Sequence, residues 1–144
     1  MKFTEAFIKE SLRFWGALVE RTCNQDYHIP EVNVTIPKGV LVQIAGKEIM
    51  FEERFFPDPH KFDPEAHFDS QTLIPTSFFP FGQGPRGCIG MRFAWVIMKS
   101  LLIRLVANYK ILPGPGMKKT FVVDPLSISG LPKEGIHVKL EARV

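Results

Sequence analysis

One cysteine, Cys88, lies in a glycine-rich segment that spans residues 78–90. The segment also holds two prolines and Arg86, and its glycines are Gly82, Gly84, Gly87 and Gly90. Glycine permits positive φ angles and close approach of a bound group, while proline fixes the backbone, so this composition predicts a loop of defined shape. From Ile89 onward the sequence is typical of a helix. A cysteine next to a helix N-terminus and an arginine favours the thiolate form.

A thiolate in such a loop is a candidate metal ligand, but Cys88 alone cannot build a tetrahedral zinc site, which takes three further protein ligands. The metal would therefore arrive with ligands of its own. Haem meets this requirement, because the porphyrin supplies four nitrogens and the protein one axial thiolate. The alternative is that Cys88 is a small buried apolar side chain, as many unpaired cysteines are. That alternative leaves the four glycines and Arg86 unexplained.

Five residues of the loop match the FxxGxRxCxG signature of the cytochrome P-450 family of haem-thiolate monooxygenases, namely Phe81, Gly84, Arg86, Cys88 and Gly90. The resemblance implies that Cys88 is the axial iron ligand of haem b (iron protoporphyrin IX). It also implies that Phe81 packs beside the sulfur and that Arg86 pairs with a haem propionate. By the same resemblance, Gly84 and Gly90 leave room for the porphyrin face, and no catalytic residue is expected in this segment.

Glu10 and Arg13 are a second pair of residues whose types and spacing could serve a function. They lie three positions apart on a predicted helix. By itself the pair could be a surface ion pair worth ~0.2–0.5 kcal/mol. Residues 6–13, however, resemble the family's K helix, in which a Glu–Arg pair fixes the backbone ahead of the haem loop. The family completes that pair with an arginine from its meander, where this chain has Ala66, and His67 is the nearest candidate. His67 could donate to Glu10 or be a solvated loop histidine.

Arg21 follows the predicted helix at the place where the family has a strand arginine that reaches a haem propionate. The alternative is a solvated charge at a strand edge, and both interpretations stay open. Family members usually have a proline just after the K helix, whereas this chain has Trp15, Gly16 and Ala17 there. The entry to the following strand is therefore expected to differ from the family pattern.

Composition is that of an ordinary globular chain: 144 residues, 45% hydrophobic, 23% charged and a net charge of +3. Lysines and arginines are scattered, so nucleic acid is not an expected partner. Two cysteines, Cys23 and Cys88, are too few for a disulfide framework and fit a reducing compartment. No segment resembles a signal peptide or a membrane span, because the most apolar stretch is interrupted by Arg92, Lys99 and Arg104.

Two helices are expected to position these residues. Residues 4–15 have an apolar stripe at helical spacing and are followed by Gly16, which predicts the helix end. Residues 89–110 confine their polar side chains to a narrow stripe, which predicts a helix that is mostly buried. In so short a chain, little protein is left to cover that helix.

The other segments predict short strands and irregular structure. Residues 27–34 and 40–44 flank a turn at residues 37–39 and predict a β-hairpin. Residues 51–68, rich in proline and phenylalanine, predict irregular structure that resembles the family's meander. Terminal strands are expected in residues 121–123, 126–130 and 136–144. The expected fold is α+β, mainly helical.

Taken with the resemblance, these elements form one partial domain over residues 1–144, namely the K helix, β-hairpin, meander, cysteine loop, L helix and terminal β strands of the P-450 fold. The family inserts one oxygen atom from O2 into a small organic substrate, with electrons from NADPH delivered by a reductase. Arg92 or Lys99 would contact that reductase on the proximal face. The resemblance implies a parent protein on the cytosolic face of the endoplasmic reticulum membrane, held by an N-terminal anchor. The alternative is a non-catalytic haem-binding fragment or the product of a truncated gene model.

Overall fold

The computed structural model describes residues 1–15, 19–68, 77–118, 120–124, 127 and 130–143. In chain order its helices and strands are α1 (Lys2–Phe14), β1 (Val19–Thr22), β2 (Tyr27–Ile29), β3 (Val34–Ile36), β4 (Leu41–Ile44), α2 (Gly46–Met50), α3 (Met91–Asn108), β5 (Tyr109–Pro113) and β6 (Val138–Ala142). Short 3-10 helices occur at Pro64–His67 and Gly84–Arg86. The described part of the chain is thus a small α+β structure, and the expectation of an α+β fold is confirmed.

Helix α1 confirms the first predicted helix, with its start two residues earlier and its end one residue earlier than expected. Its inner face buries Ala6 and Ile8, and its phenylalanines pack edge-on against the segment that follows α2. The ring centroids of Phe7 and Phe62, for example, are 5.4 Å apart. Gly16, predicted to end the helix, lies outside the described residues, as does Ala17.

The buried core lies beside this helix, in the segment that begins at α2. Met50, Phe56 and Phe79 are its buried side chains, with Phe51 and Phe78 among the half-buried ones packed around them. As expected, residues 51–68 hold little regular structure beyond the 3-10 helix at their end. Aromatic side chains, rather than a hydrogen-bonded ladder, therefore join this segment to α1 and to the start of the cysteine loop.

The predicted hairpin between residues 27–34 and 40–44 is wrong in its pairing. β2 pairs with β3 through a turn that starts at Pro30, which has no N–H to continue a ladder. β4 pairs instead with β1, so that Arg21 lies opposite Val42. The turn at residues 37–39 thus joins two different two-stranded antiparallel sheets. A local turn signal could not distinguish this longer-range pairing from a simple hairpin.

Helix α3 confirms the second predicted helix, but it begins at Met91 rather than at residue 89. The expectation that it is mostly buried is wrong: none of its residues is buried. α1 and β5 pack beside it, and its far face leaves Phe93 and Val96 exposed by 71% and 63%. Of the helices that the structure describes, none has the length and apolar character that a bilayer crossing requires.

The last strands form a separate antiparallel pair, β5 with β6, in which Tyr109 lies opposite Ala142. β6 confirms the strand expected in residues 136–144, whereas β5 was not expected, because the helical pattern runs into its first residues. Within residues 121–123, Val123 makes a single bridge to Pro132. Most of the strand expected at residues 126–130 lies outside the described residues.

Candidate functional site

The cysteine loop is closed by backbone hydrogen bonds across its own turns. The Cys88 N–H donates to the Phe81 carbonyl at 2.8 Å, and the Gly87 N–H donates to the Gly84 carbonyl at 3.0 Å. Gly84 has a φ of +72°, in the region that favours glycine, and opens the short 3-10 helix that contains Arg86. The loop is therefore a shaped element, and the side chain of Cys88 is exposed at its end.

Gly90 lies beside the sulfur. A Cβ added at Gly90 would lie 3.9 Å from Cys88 Sγ, in van der Waals contact with it. Glycine therefore leaves one side of the thiol open to a group that approaches closely. Gly90 is also the N-cap of α3, and the Ala94 N–H donates to its carbonyl at 2.9 Å. Cys88 thus lies three residues ahead of the first residue of the helix.

Two predicted cofactor-binding arginines meet at this loop. Arg21, in β1, donates from Nη2 to the Arg86 carbonyl at 3.3 Å, although 65 residues separate them in sequence. Both residues are exposed. Arg21 also lines an open pocket of about 280 Å³, together with Phe79, Gly82 and apolar side chains of β1, β4 and α2. The side chain of the strand arginine therefore reaches the backbone of the loop beside the arginine of the signature.

Phe81 connects the loop to helix α3. Its ring centroid lies 6.4 Å from that of Trp95, at an interplanar angle of 51°. Phe81 was expected at this site from its match to the family signature, whereas Trp95 was not expected there. The sequence does indicate one neighbour of Trp95: Lys99 is four residues further along and therefore shares a face of α3 with it.

Glu10, Arg13 and His67 form one buried cluster. Arg13 Nε lies 2.8 Å from Glu10 Oε2 and Arg13 Nη2 lies 2.9 Å from Glu10 Oε1, so the guanidinium grips both carboxylate oxygens. His67 Nε2 lies 2.7 Å from Glu10 Oε2. Each of the three residues is at most 4% exposed. The interpretation of His67 as a solvated loop histidine is therefore wrong, and so is the interpretation of Glu10 and Arg13 as a surface pair.

The cluster also ties three backbone segments together. Arg13 donates from Nη1 to the Met50 carbonyl at 2.8 Å and from Nη2 to the Lys61 carbonyl at 3.3 Å. The Asp63 N–H donates to Glu10 Oε1 at 2.8 Å. Burial alone would raise the pKa of Glu10, but hydrogen bonds from Arg13, His67 and the Asp63 N–H outweigh it and lower the pKa to about 2. The carboxylate therefore stays ionised at neutral pH.

Lys99, expected to face a reductase, has a partner within the chain. Its Nζ donates to Glu5 Oε2 on α1 at 2.9 Å and lies 5.0 Å from the centroid of the Trp95 ring. The side chain of Lys99 is 40% exposed. Lys99 thus connects α3 to the helix that carries Glu10 and Arg13, and a contact with a reductase would have to compete with Glu5.

The donor set suits a metal that arrives with its own ligands. Across the part of the chain that the structure describes, no group of three His, Cys, Asp or Glu side chains could enclose an ion. Cys88 instead offers one exposed sulfur, with open space beside it at Gly90 and two arginines nearby on the loop and on β1. These residues fit haem, which needs one axial ligand, an uncovered face and cations for its propionates.

Known proteins similar to this chain identify its family. A family model described as Cytochrome P450 matches residues 1–140. The chain is 35% identical over 147 residues to "Probable cytochrome P450 6d4" of Drosophila melanogaster. This match covers 100% of this chain and 28% of that protein.

Relatives from two other animals match over nearly the whole chain. The chain is 31% identical over 147 residues to "Cytochrome P450 6B1" of Papilio polyxenes, covering 99% of this chain and 30% of that protein. It is 33% identical over 149 residues to "Cytochrome P450 3A31" of Mesocricetus auratus, and this match covers 99% of this chain and 29% of that protein. The chain therefore spans less than a third of the length of the curated relatives it matches.

Proposed function

Because this chain belongs to the cytochrome P450 family, we propose that it is the part of a haem-thiolate monooxygenase that supplies the axial iron ligand, Cys88. The observation that carries the proposal is the exposed thiol of Cys88 in a closed loop, with Gly90 leaving one side of the sulfur open. When bound, haem supplies the activation of O2 that inserts one oxygen atom into an organic substrate.

The neighbouring residues have matching roles in the proposal. Arg86 and Arg21 neutralise the propionates of haem b, which fits the hydrogen bond between them and their exposure. Phe81 packs beside the sulfur, and its carbonyl fixes the backbone of Cys88. Gly84 gives the loop one of its two positive φ angles, and Gly82 gives the other.

The buried cluster acts at a distance from the cofactor. Glu10, Arg13 and His67 join α1 to the backbone at Met50 and Lys61, and so hold the segment that leads to the cysteine loop. In family terms we assign α1 to the K helix and α3 to the L helix, residues 51–68 to the meander, and β5 with β6 to the terminal strands. Residues 1–144 then form a single partial domain.

The rest of the reaction belongs to the whole protein. We propose a small organic substrate, electrons from NADPH through a reductase that binds the proximal face, and a location on the cytosolic face of the endoplasmic reticulum membrane. Arg92, in the first turn of α3, remains the candidate for the reductase contact, since Lys99 is paired with Glu5. The second candidate function is haem binding without turnover, which would use Cys88 and its loop in the same way.

Two single substitutions test the ligand assignment. Haem-loaded protein, expressed from its complete reading frame, is reduced under carbon monoxide, and thiolate ligation gives a strongly red-shifted Soret band. We expect Cys88→Ser to lose that band and Cys23→Ser, at the chain's other cysteine, to keep it. If Cys88→Ser and the unsubstituted protein had the same spectrum, the assignment would be wrong. NADPH-dependent oxidation of substrate by the protein with its reductase then separates the monooxygenase from the non-catalytic alternative.

A further inference from the structure

One aromatic side chain of α3 faces the cysteine loop while its neighbours face away. Trp95 is half-buried and its ring contacts Phe81, whereas Phe93 and Val96 on the other side of the helix are exposed by more than half. Phe81 in turn accepts the Cys88 N–H on its carbonyl at 2.8 Å. Phe81 therefore links the indole of Trp95 to the backbone that carries the thiol.

The indole is also held from its other side. Lys99, one helical turn further along, lies with Nζ 5.0 Å from the centroid of the Trp95 ring, a distance at which a cation is attracted to an aromatic face. The same Nζ is 2.9 Å from Glu5 Oε2 on α1. A continuous set of contacts thus runs from α1 through Lys99 and Trp95 to Phe81.

We infer that Trp95 is a positioning residue for the cysteine loop: it packs against Phe81 so that the Phe81 carbonyl keeps its hydrogen bond to Cys88. The Glu5–Lys99 ion pair holds the indole in that orientation. A packed aromatic pair adds to stability beyond the area that it buries, so its loss makes local opening of the loop more frequent. The inference rests on the proposed function only for what the loop does with haem, and its first test needs no haem.

The first test is amide hydrogen exchange at Cys88 in the full chain without cofactor. Trp95→Ala is expected to accelerate exchange of the Cys88 N–H by roughly two- to tenfold, the range that corresponds to the loss of one aromatic pair. Trp95→Phe, which keeps an aromatic ring, is expected to change it less. The matched control is Trp15→Ala, at the chain's other tryptophan, which is 46% exposed and follows the last residue of α1. Equal acceleration in Trp95→Ala and Trp15→Ala would overturn the inference.

Lys99→Met gives a second variant that leaves the indole in place. It is expected to accelerate exchange at Cys88 by a smaller factor than Trp95→Ala. Lys139→Met, which removes an exposed lysine paired with Glu141 on β6, is expected to leave it unchanged. Far-UV circular dichroism confirms that each variant keeps its helices. If Trp95→Ala does not fold, an unchanged exchange rate in Lys99→Met overturns the inference.

The haem-loaded protein separates this inference from the proposed function. If the unsubstituted protein has the red-shifted carbon monoxide band, Trp95→Ala is expected to lose that band on storage several times faster than Trp15→Ala does. An equal rate overturns the positioning role and leaves the ligand assignment intact. If the unsubstituted protein has no such band, the proposed function fails, and the exchange measurements alone decide on the role of Trp95.

Discussion

His67 Nε2 lies 2.7 Å from Glu10 Oε2, although 57 residues separate the two in sequence. Glu10 is ionised and can only accept hydrogen bonds, so Nε2 carries the hydrogen and His67 is the donor. The other ring nitrogen, Nδ1, is buried without a partner among the described residues, and the rings of Phe56 and Phe78 lie near the imidazole, with centroids 6.5 Å and 5.4 Å from its own. The contact therefore uses Nε2 as its donor and leaves Nδ1 without a hydrogen bond among the described residues.

Removal of that donor is expected to destabilise the fold. His67→Leu should lower the free energy of unfolding by about 1.5–3 kcal/mol, the value of a hydrogen bond to a charged group, as measured by urea denaturation. His28→Leu is the control, because His28 is exposed and its ring has one hydrogen bond among the described residues, to Thr35 across β2 and β3; its effect should be within about 0.5 kcal/mol. Similar losses in the two variants would argue against a structural role for His67.

Arg13 should not be replaceable by lysine. Its guanidinium makes four hydrogen bonds in one plane, two to Glu10 and two to the carbonyls of Met50 and Lys61, and a single ammonium cannot reach all of them. Arg13→Lys is expected to cost about 3 kcal/mol in a urea titration, because a buried ion pair loses its geometry. Arg143→Lys serves as the reference, because the side chain of this exposed arginine has one hydrogen bond within the described residues, to the Tyr109 carbonyl; it should cost less than about 0.5 kcal/mol. A cost for Arg13→Lys as small as that of the reference would contradict the prediction.

Local pattern was enough for the helices and for the type of loop. The apolar stripe of α1 and the long apolar run of α3 predict both helices to within two residues, since helical spacing is a property of neighbouring residues. The glycines around Cys88 likewise indicate a shaped loop, and the backbone of Gly84 has the positive φ angle that they suggest.

Contacts between distant segments could not be predicted in this way. The pairing of β1 with β4 depends on where the chain returns after the turn at residues 37–39, and nothing in that turn specifies it. The contact of Trp95 with Phe81 and the choice between a buried and a solvated His67 also depend on packing. Burial of α3 was overestimated, because the pattern reports how apolar a helix is and not how much protein surrounds it.

The exposed face of α3 is expected to bind an apolar dye. Phe93, Val96, Ile97 and Leu101 share one side of the helix and are all exposed by 46% or more. These four side chains form a contiguous apolar patch, whereas exposed apolar side chains on a protein surface are usually scattered singly. In the 144-residue chain, replacing Val96 and Leu101 by serine should lower the fluorescence of anilinonaphthalene sulfonate by at least about half. Val32→Ser with Val122→Ser, at exposed valines outside α3, provides the comparison, and an equal decrease there would contradict a patch on the helix.

Acid should weaken the fold through Glu10. Its pKa is about 2 in the folded protein and 4.5 ordinarily, so the carboxylate stabilises the fold fully above pH 4.5 and loses that contribution as pH falls towards 2. The lost contribution is about 3 kcal/mol. Glu10→Gln leaves Arg13 buried without its charge partner and is less stable at neutral pH, but it lacks this titration.

The measurement is the difference in unfolding free energy between the unsubstituted chain and Glu10→Gln at several pH values between 7 and 2.5. We expect the difference to be constant down to pH 4.5 and to narrow below it, because protonation of Glu10 makes the two proteins alike. Glu134→Gln is the matched control: Lys118 also lowers the pKa of Glu134, but this pair is exposed and screened by solvent. Its difference from the unsubstituted chain should stay small throughout. A difference for Glu10→Gln that is independent of pH would show that the charge of Glu10 does not stabilise the cluster.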